Sequence, residues 1–288
     1  MSEEQKRFVL MEIPPVPYYI TTGLTTLQPG EQHPNRRNLG LFDLLWVIQG
    51  TLYIGEDDQE WALTKGQTLL LLPDRYHYAV KPCDTETVFY WTHIDFKGTY
   101  HLADTSLGSV HPVRSAWNNP YMIRIRQYAS PPQFEMAERH LHKLLASAGA
   151  YRSEAFWNEQ QLFMELLHVL EESYSGKSDS PALKLAERTE AFLRQHYQSD
   201  LTNEAVADAL HFHPNYVVRC MKEVYRCTPM EYLHEYRLEQ AKLLLIKTEW
   251  KVAQIAEHVG FQYAPYFSSC FKQYTGTSPL QFRKQFSR

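Results

Sequence analysis

A repeat of about 50 residues near the C-terminus constrains the fold of this 288-residue chain more than any other feature. Ala207…Leu210-His211-Phe212 corresponds to Ala256…Val259-Gly260-Phe261, Met221-Lys222 to Phe271-Lys272, Thr228-Pro229 to Ser278-Pro279, and Tyr232 to Phe282. In the second copy Val252, Ile255, Ala256 and Val259 fall at i, i+3, i+4 and i+7, an apolar helical stripe. Gly260 then stops that helix, because a left-handed backbone costs glycine little. Pro265 suits the first turn of a new helix, and Phe267, Cys270, Phe271 and Tyr274 repeat the stripe. The offset between the copies changes from 49 to 50 at the corner, so the second corner is one residue longer. Between the copies PMEYLHEYRLEQAKLLLIK, Pro229–Lys247, reads as one helix of roughly 28 Å. That is near the ~34 Å between successive major-groove faces of a duplex. One chain built this way can present two helices to adjacent turns of DNA.

The charge distribution agrees in sign. The net charge is -4, yet residues 184–288 hold 14 Lys+Arg against 11 Asp+Glu. No acid follows Glu257, whereas Lys272, Arg283, Lys284 and Arg288 do. A basic end suits a polyanion, although so small an excess equally describes a solvated tail.

The rest of the chain has a different character. Five prolines between Pro14 and Pro34 argue for extended structure over residues 1–40. LFDLLWVIQG, TLYIG, QTLLLLP and TVFYWTHIDF then read as short strands bounded by turn residues, the pattern of an antiparallel sandwich or barrel. After Pro131, FEMAERHLHKLLASAG and RSEAFWNEQQLFMELLHVLEESY each carry one apolar helical face and form a helical hairpin. It can simply cap the strand-rich half, and a surplus apolar face suits a second subunit. The Ser-rich SYSGKSDSP marks a linker. These signals place a strand-rich domain at 1–130, to which the family resemblance below assigns ligand binding, a helical hairpin suited to dimerisation at 131–175, a linker at 176–183 and an all-α domain at 184–288, an α+β chain. The start, MSEEQKRFVLMEIPPVPYY, lacks a signal-peptide core. No apolar run approaches the ~18 residues of a membrane span. Cys83, Cys220, Cys227 and Cys270 contain no C-x-x-C pair and read as buried, reduced thiols. The expected location is cytoplasmic.

The motifs LTNEAVADAL, RLEQAKLLL, IAEHVGF, YFSSCFK and TGTSPLQFRK make residues 184–288 resemble the DNA-binding domain of the AraC/XylS family of bacterial transcription regulators. The resemblance implies two helix-turn-helix motifs, recognition helices at 214–225 and 265–275, and double-stranded DNA as partner. It places Asn215, Val218 and Arg219 at base edges in the first helix, with Arg219 suited to bidentate pairing with guanine. For the second helix it points to Gln262, Tyr263, Ala264, Ser268 and Ser269. Relatives often carry Arg where Ser269 stands, which implies weaker base discrimination there. Lys222, Lys272 and Arg283 are expected to neutralise phosphates. Three departures stand out. His211 and Arg226 sit where relatives often have Gly, and His213 replaces a hydroxyl cap, an exchange expected to cost ~1–2 kcal/mol locally.

Residues 41–96, with PDRYHYAV and FYWTHIDF, more loosely resemble the cupin-like β-barrel that precedes this module. That resemblance implies a small-molecule effector, a sugar, held by Trp91 and His93 from one strand face and by Arg36 or Arg37. Trp46, Tyr53 and Tyr78 are further candidates, each equally readable as barrel core. No metal or other cofactor is expected: His33, His77 and His93 include no H-x-H, and no catalytic triad, phosphate loop or carboxylate pair is legible. Nor does the lone N-terminal Cys83 suit a repair-type regulator. The family habit favours an activator, and hence RNA polymerase as a partner, in a homodimer controlling a carbohydrate operon. Two alternatives stay open: a ligand-independent regulator whose barrel only dimerises, and a metal-dependent cupin enzyme with a helical tail.

Overall fold

The computed structural model describes residues 7–103, 121–147, 151–178 and 181–286. They form two compact units, the first ending at Ser178 and the second running from Pro181.

The first unit opens with β1 (Phe8–Ile13), β2 (Tyr18–Leu27), β3 (Arg36–Arg37), β4 (Phe42–Gln49), β5 (Thr51–Glu56) and β6 (Gln59–Thr64). It continues with β7 (Thr68–Leu71), β8 (Tyr76–Ala79), β9 (Thr87–Asp95), β10 (Tyr100–Ala103), β11 (Tyr121–Arg126) and β12 (Tyr128–Ala129). Helices α1 (Phe134–Ser147) and α2 (Arg152–Ser178) follow. Instead of one closed barrel, the described strands make three sheets, ordered β12-β7-β4-β9-β2, β3-β8-β5-β6 and β10-β1-β11.

Alternation along each strand sorts the side chains. Leu45 and Val47 of β4, Leu69 and Leu71 of β7 and Phe89 of β9 meet Leu52 and Ile54 of β5 and Leu63 of β6 between the two larger sheets. The intervening residues Phe42, Leu44, Trp46, Leu70, Tyr90 and Ile94 face the other way. They are covered by Ala137, Leu141 and Leu144 of α1 and by Phe163, Leu166, Leu167 and Leu170 of α2. The five-stranded sheet is therefore buried on both faces, which is why β4 reads as an almost unbroken apolar run.

The hairpin of α1 and α2 begins inside the expected 131–175 and runs past its end, to Ser178. Where the linker was expected, α2 stays helical through Ser178 and Pro181 already opens the next helix; residues 179–180 lie outside the described residues. Part of the expected ligand-binding domain, residues 104–120, does so too. Among the described residues no helix is long and apolar enough to cross a membrane. All four cysteines are free, Cys83 and Cys220 buried, Cys227 and Cys270 half-buried.

The second unit is all helix: α3 (Pro181–Gln195), α4 (Asn203–Leu210), α5 (Pro214–Tyr225), α6 (Pro229–Lys247), α7 (Val252–His258), α8 (Ala264–Thr275) and α9 (Pro279–Phe286). Two apolar cores divide it. Leu185, Ala186, Val206, Ala207, Val217, Met221 and Leu233 belong to the first. Leu238, Leu245, Ile255, Val259, Phe267, Phe271 and Phe282 belong to the second. Helix α6 serves both, its start in one core and its end in the other.

Candidate nucleic-acid interface and ligand cleft

The repeat is visible in backbone conformation. His211 and Gly260, equivalent in sequence, both turn the chain with positive φ, 62° and 91°. Arg226 and Gly276 do the same after α5 and α8, with φ of 60° and 80°. From His211 to the first residue of α5 is three steps, and from Gly260 to the first residue of α8 is four. The corner lengths thus differ as the offset requires. Helices α6 and α9 open with matching capping boxes. The Thr228 hydroxyl accepts from Glu231 N at 3.2 Å while Glu231 accepts from Thr228 N at 2.7 Å. Ser278 and Gln281 repeat this at 3.3 and 3.2 Å.

A carboxylate, half-buried in the first copy and buried in the second, ties down the end of each second helix. Glu190 of α3 accepts the Tyr225 and Tyr232 hydroxyls at 2.7 Å each. Glu239, 49 positions later on α6, accepts the Tyr274 hydroxyl and the Lys242 ammonium, the latter at 2.8 Å. Burial and these acidic partners push the Tyr232 and Tyr274 hydroxyls far above the usual phenol range, so both stay protonated donors.

With the inner faces committed, the outward ones follow. On α5, Val217, Cys220, Met221 and Val224 are buried, which leaves Asn215, Arg219 and Lys222 exposed and Val218 half-buried. The Arg219 guanidinium lies 4.9 Å from the Tyr216 ring, a cation–π contact one turn back that aims it before any partner arrives. The cap expected to be lost at His213 is present: its ring Nδ1 accepts from Asn215 N at 3.2 Å. On α8, Phe267 and Phe271 are buried, Ser269 and Lys272 exposed, and Ala264 and Ser268 half-buried. Tyr263 is 64% exposed, an unusual position for an aromatic ring with no surface to meet. Gln262 is exposed but donates to Asp200 at 3.0 Å. Arg283 departs from expectation. Its Nε donates to Leu245 O at 3.1 Å and its Nη2 to Trp250 O at 2.6 Å, so the guanidinium fastens α9 to the chain ahead of α7.

In the first unit a cleft of about 350 Å³ opens between the larger sheets, lined by Thr25, Leu27, His33, Pro34, Arg36, Asp43, Phe89, Trp91 and His93. Three expected ligand residues, Arg36, Trp91 and His93, are brought together here. Gly23 stands opposite Trp91 across the β2–β9 pair. A Cβ on Gly23 would lie 2.2 Å from the indole, so glycine is what lets the ring lie flat along β2. Trp91 Nε1 donates to Thr25 Oγ1 at 3.1 Å, and the His93 ring centroid is 4.9 Å from that of the indole.

The other four candidates are elsewhere. Trp46 is fully buried on the opposite face, 6.0 Å from Phe134 of α1, because its parity in β4 is that of Leu44 and not Leu45. Tyr53 alternates out of the sandwich from Leu52 and Ile54; its hydroxyl donates to Asp84 at 2.7 Å and Lys81 covers its ring. Tyr78 lies over Gly55 on the same outer surface and stacks on Tyr76. Arg37 sits 5.0 Å over the Tyr76 ring.

The floor of the cleft holds polar groups that the sequence reading left out. Asp43 is 2% exposed; its Oδ2 is 3.7 Å from His93 Nε2 and its Oδ1 is buried without a hydrogen-bond partner. His33 packs edge-on to His77 with ring centroids 5.5 Å apart. The buried His33 Nδ1 and His77 Nε2 also lack partners. Burial pushes His33 down to about 4 and lowers His77, so both rings are neutral at pH 7. The overlooked signal was Asp43 itself, a carboxylate at the same parity as Leu45 and Val47. Among the described residues no group of three or more His, Cys, Asp or Glu side chains is arranged to hold a metal ion.

Residues 206–285 match the family model described as a helix-turn-helix domain. The uncharacterized HTH-type transcriptional regulator YisR of Bacillus subtilis is 34% identical over 97% of this chain and 98% of its own length. The chain belongs to the AraC-type family of transcriptional regulators. The HTH-type transcriptional activator RhaS of Escherichia coli O157:H7 is 31% identical over 65% of this chain and 63% of its own length. The bifunctional transcriptional activator/DNA repair enzyme AdaA of B. subtilis is 36% identical over 32% of this chain and 44% of its own length. As an AraC-type regulator the protein binds double-stranded DNA through its helical unit; YisR and RhaS are named as transcriptional regulators, and the likeness to AdaA is confined to the DNA-binding region.

Proposed function

We infer that the protein is an effector-responsive regulator. Its two helix–corner–helix pairs act as two helix-turn-helix units on one operator, and a small polyhydroxy molecule, a sugar, occupies the cleft. The observation that carries the effector reading is the unpaired Asp43 Oδ1 on the cleft floor. A buried acceptor left unsatisfied costs about 1–3 kcal/mol, and a ligand hydroxyl removes that cost. The neighbouring cleft chemistry fits the same ligand: a flat indole wall at Trp91 for a sugar's C–H face, a neutral imidazole at His33, and Arg36 at the rim. The strand-rich half is in this reading a cupin-like sensory domain.

For DNA, Asn215, Val218 and Arg219 read bases from α5; Tyr263, Ala264, Ser268 and Ser269 meet the groove from α8, with Gln262 held at its corner. Lys222 and Lys272 contact phosphates. Arg283, engaged with backbone carbonyls, is left out of this interface. The hairpin supports a homodimer, since Trp157 is 76% and Met164 38% exposed at i and i+7 of α2. The effector acts by favouring one arrangement of the protein over another.

Calorimetric titration with a panel of mono- and oligosaccharides tests the effector reading. One sugar binds the native protein, and Trp91→Ala and Asp43→Asn each weaken it at least tenfold. Heat from no member of the panel, or equal affinity in both variants, would sink it.

A further inference from the structure

The two halves of the helical unit are joined by more than α6. Residues Tyr197–Asp200, between α3 and α4, bond both to α6 and to the second half. Arg237 of α6 donates from Nε to Tyr197 O and from Nη2 to Ser199 O, each at 2.7 Å. The Gln198 amide nitrogen is 3.0 Å from His258 Nε2 at the end of α7. Asp200 accepts from Gln262, just ahead of α8, at 3.0 Å. The Tyr197 ring packs against both apolar cores and stands 5.4 Å from Tyr236. Gly260, at the second corner, backs the guanidinium so closely that a Cβ there would lie 2.8 Å from Arg237 Cζ. The same device recurs at Arg283, which fastens the chain ahead of α7. The bonds that cross from the first half to the second are Gln198–His258 and Asp200–Gln262, and Arg237, on the shared helix α6, holds the segment that makes both.

We propose that Arg237, with the Tyr197–Asp200 segment, holds α5 and α8 at one fixed separation and so sets the spacing between the two DNA half-sites. This rests on the reading of α5 and α8 as DNA readers. A shared helix fixes the axial distance between two bundles but leaves each free to swing about it. The junction removes that freedom with a charge-assisted, two-pronged bond placed beside the second corner. Readers locked about one helical turn apart, ~34 Å, accept one spacing, because a shift of one base pair rotates the groove away. Arg237 is thus a positioning residue that touches no base.

The full-length protein is used to select duplexes from a random-sequence library. The native protein enriches two short motifs at a single spacing. Arg237→Met enriches the same motifs at several spacings and binds the native-selected duplex roughly tenfold more weakly; Arg237→Lys narrows the spacings again. Asp200→Ala, which removes an exposed bond only, widens the spacing without disturbing either core, and decides the matter alone if Arg237→Met does not fold. A single unchanged spacing in a folded variant overturns the proposal, as does enrichment of one motif by the native protein. Enrichment of no motif at all overturns instead the assignment of α5 and α8 as readers.

Discussion

Arg219 is the residue on which the proposed base reading depends most. Its guanidinium is stacked on Tyr216 and otherwise faces outward, so little ordering entropy remains to be lost on pairing with a guanine. Arg219→Ala is expected to cost ~1–3 kcal/mol at one operator position and to relax the base preference there. Lys272→Ala instead weakens all sequences alike and lowers the salt slope by about one unit. Gel-shift titrations on single-base operator variants at several salt concentrations separate the two. His211 shows the opposite economy. It adopts φ 62°, in the left-handed region where Gly260 turns the second copy at 91°, and a non-glycine residue there carries ~1–2 kcal/mol of strain. His211→Gly is expected to raise stability by about 1 kcal/mol, less the added freedom of the unfolded glycine, measured by urea denaturation.

At the level of elements, the end of β5 carries an acid where the fold offers no water. Glu56 is 4% exposed and accepts from Leu72 N at 2.7 Å and from Gln127 Nε2 at 2.6 Å, linking β5 to the end of β7 and the β11–β12 joint. Burial pushes its carboxyl up to about 7, partly offset by those two bonds. The folded state therefore holds its proton more tightly than the unfolded state does. Its contribution is fully present below the unfolded value of 4.5 and is lost as pH rises through about 7. The corresponding change is on the order of 3 kcal/mol. Glu56→Gln should flatten this slope and leave the variant more stable than the native chain at pH 8, because the unpartnered Gln127 Oε1 can take the new donor after an amide flip. Denaturation midpoints at pH 5, 6, 7 and 8 check it; parallel profiles for the two proteins would contradict it.

For the whole molecule, the expectation is coupling between cleft and DNA. A sugar identified by calorimetry should change operator affinity by 5- to 150-fold, roughly 1–3 kcal/mol, and the operator should change sugar affinity by the same factor. Fluorescence titrations of each ligand with and without the other test this reciprocity; unequal factors break the two-state account. The helical unit was legible from residues because its helices, corners and caps are local. The stripe Val252, Ile255, Ala256 and Val259, the turn at Gly260 and the Thr-Pro and Ser-Pro caps lie within a few positions of what they touch, and the repeat states each twice. The cleft was only half legible. Trp91 and His93 were found because the family resemblance pointed to their strand and β9 alternates visibly, but β4 is apolar on both faces, and nothing local says whether Leu44–Trp46 or Leu45–Val47 points between the sheets. Asp43 and His33 entered the site, and Trp46, Tyr53 and Tyr78 left it, once the partners of each sheet were known. Sequence alone thus determined two helix–corner–helix pairs, their connecting helix and the outward positions of Arg219 and Lys272. Tertiary structure decided which strand face encloses the cleft, and that Arg237 and Arg283 serve the fold, because both depend on contacts between residues tens of positions apart, which no local pattern records.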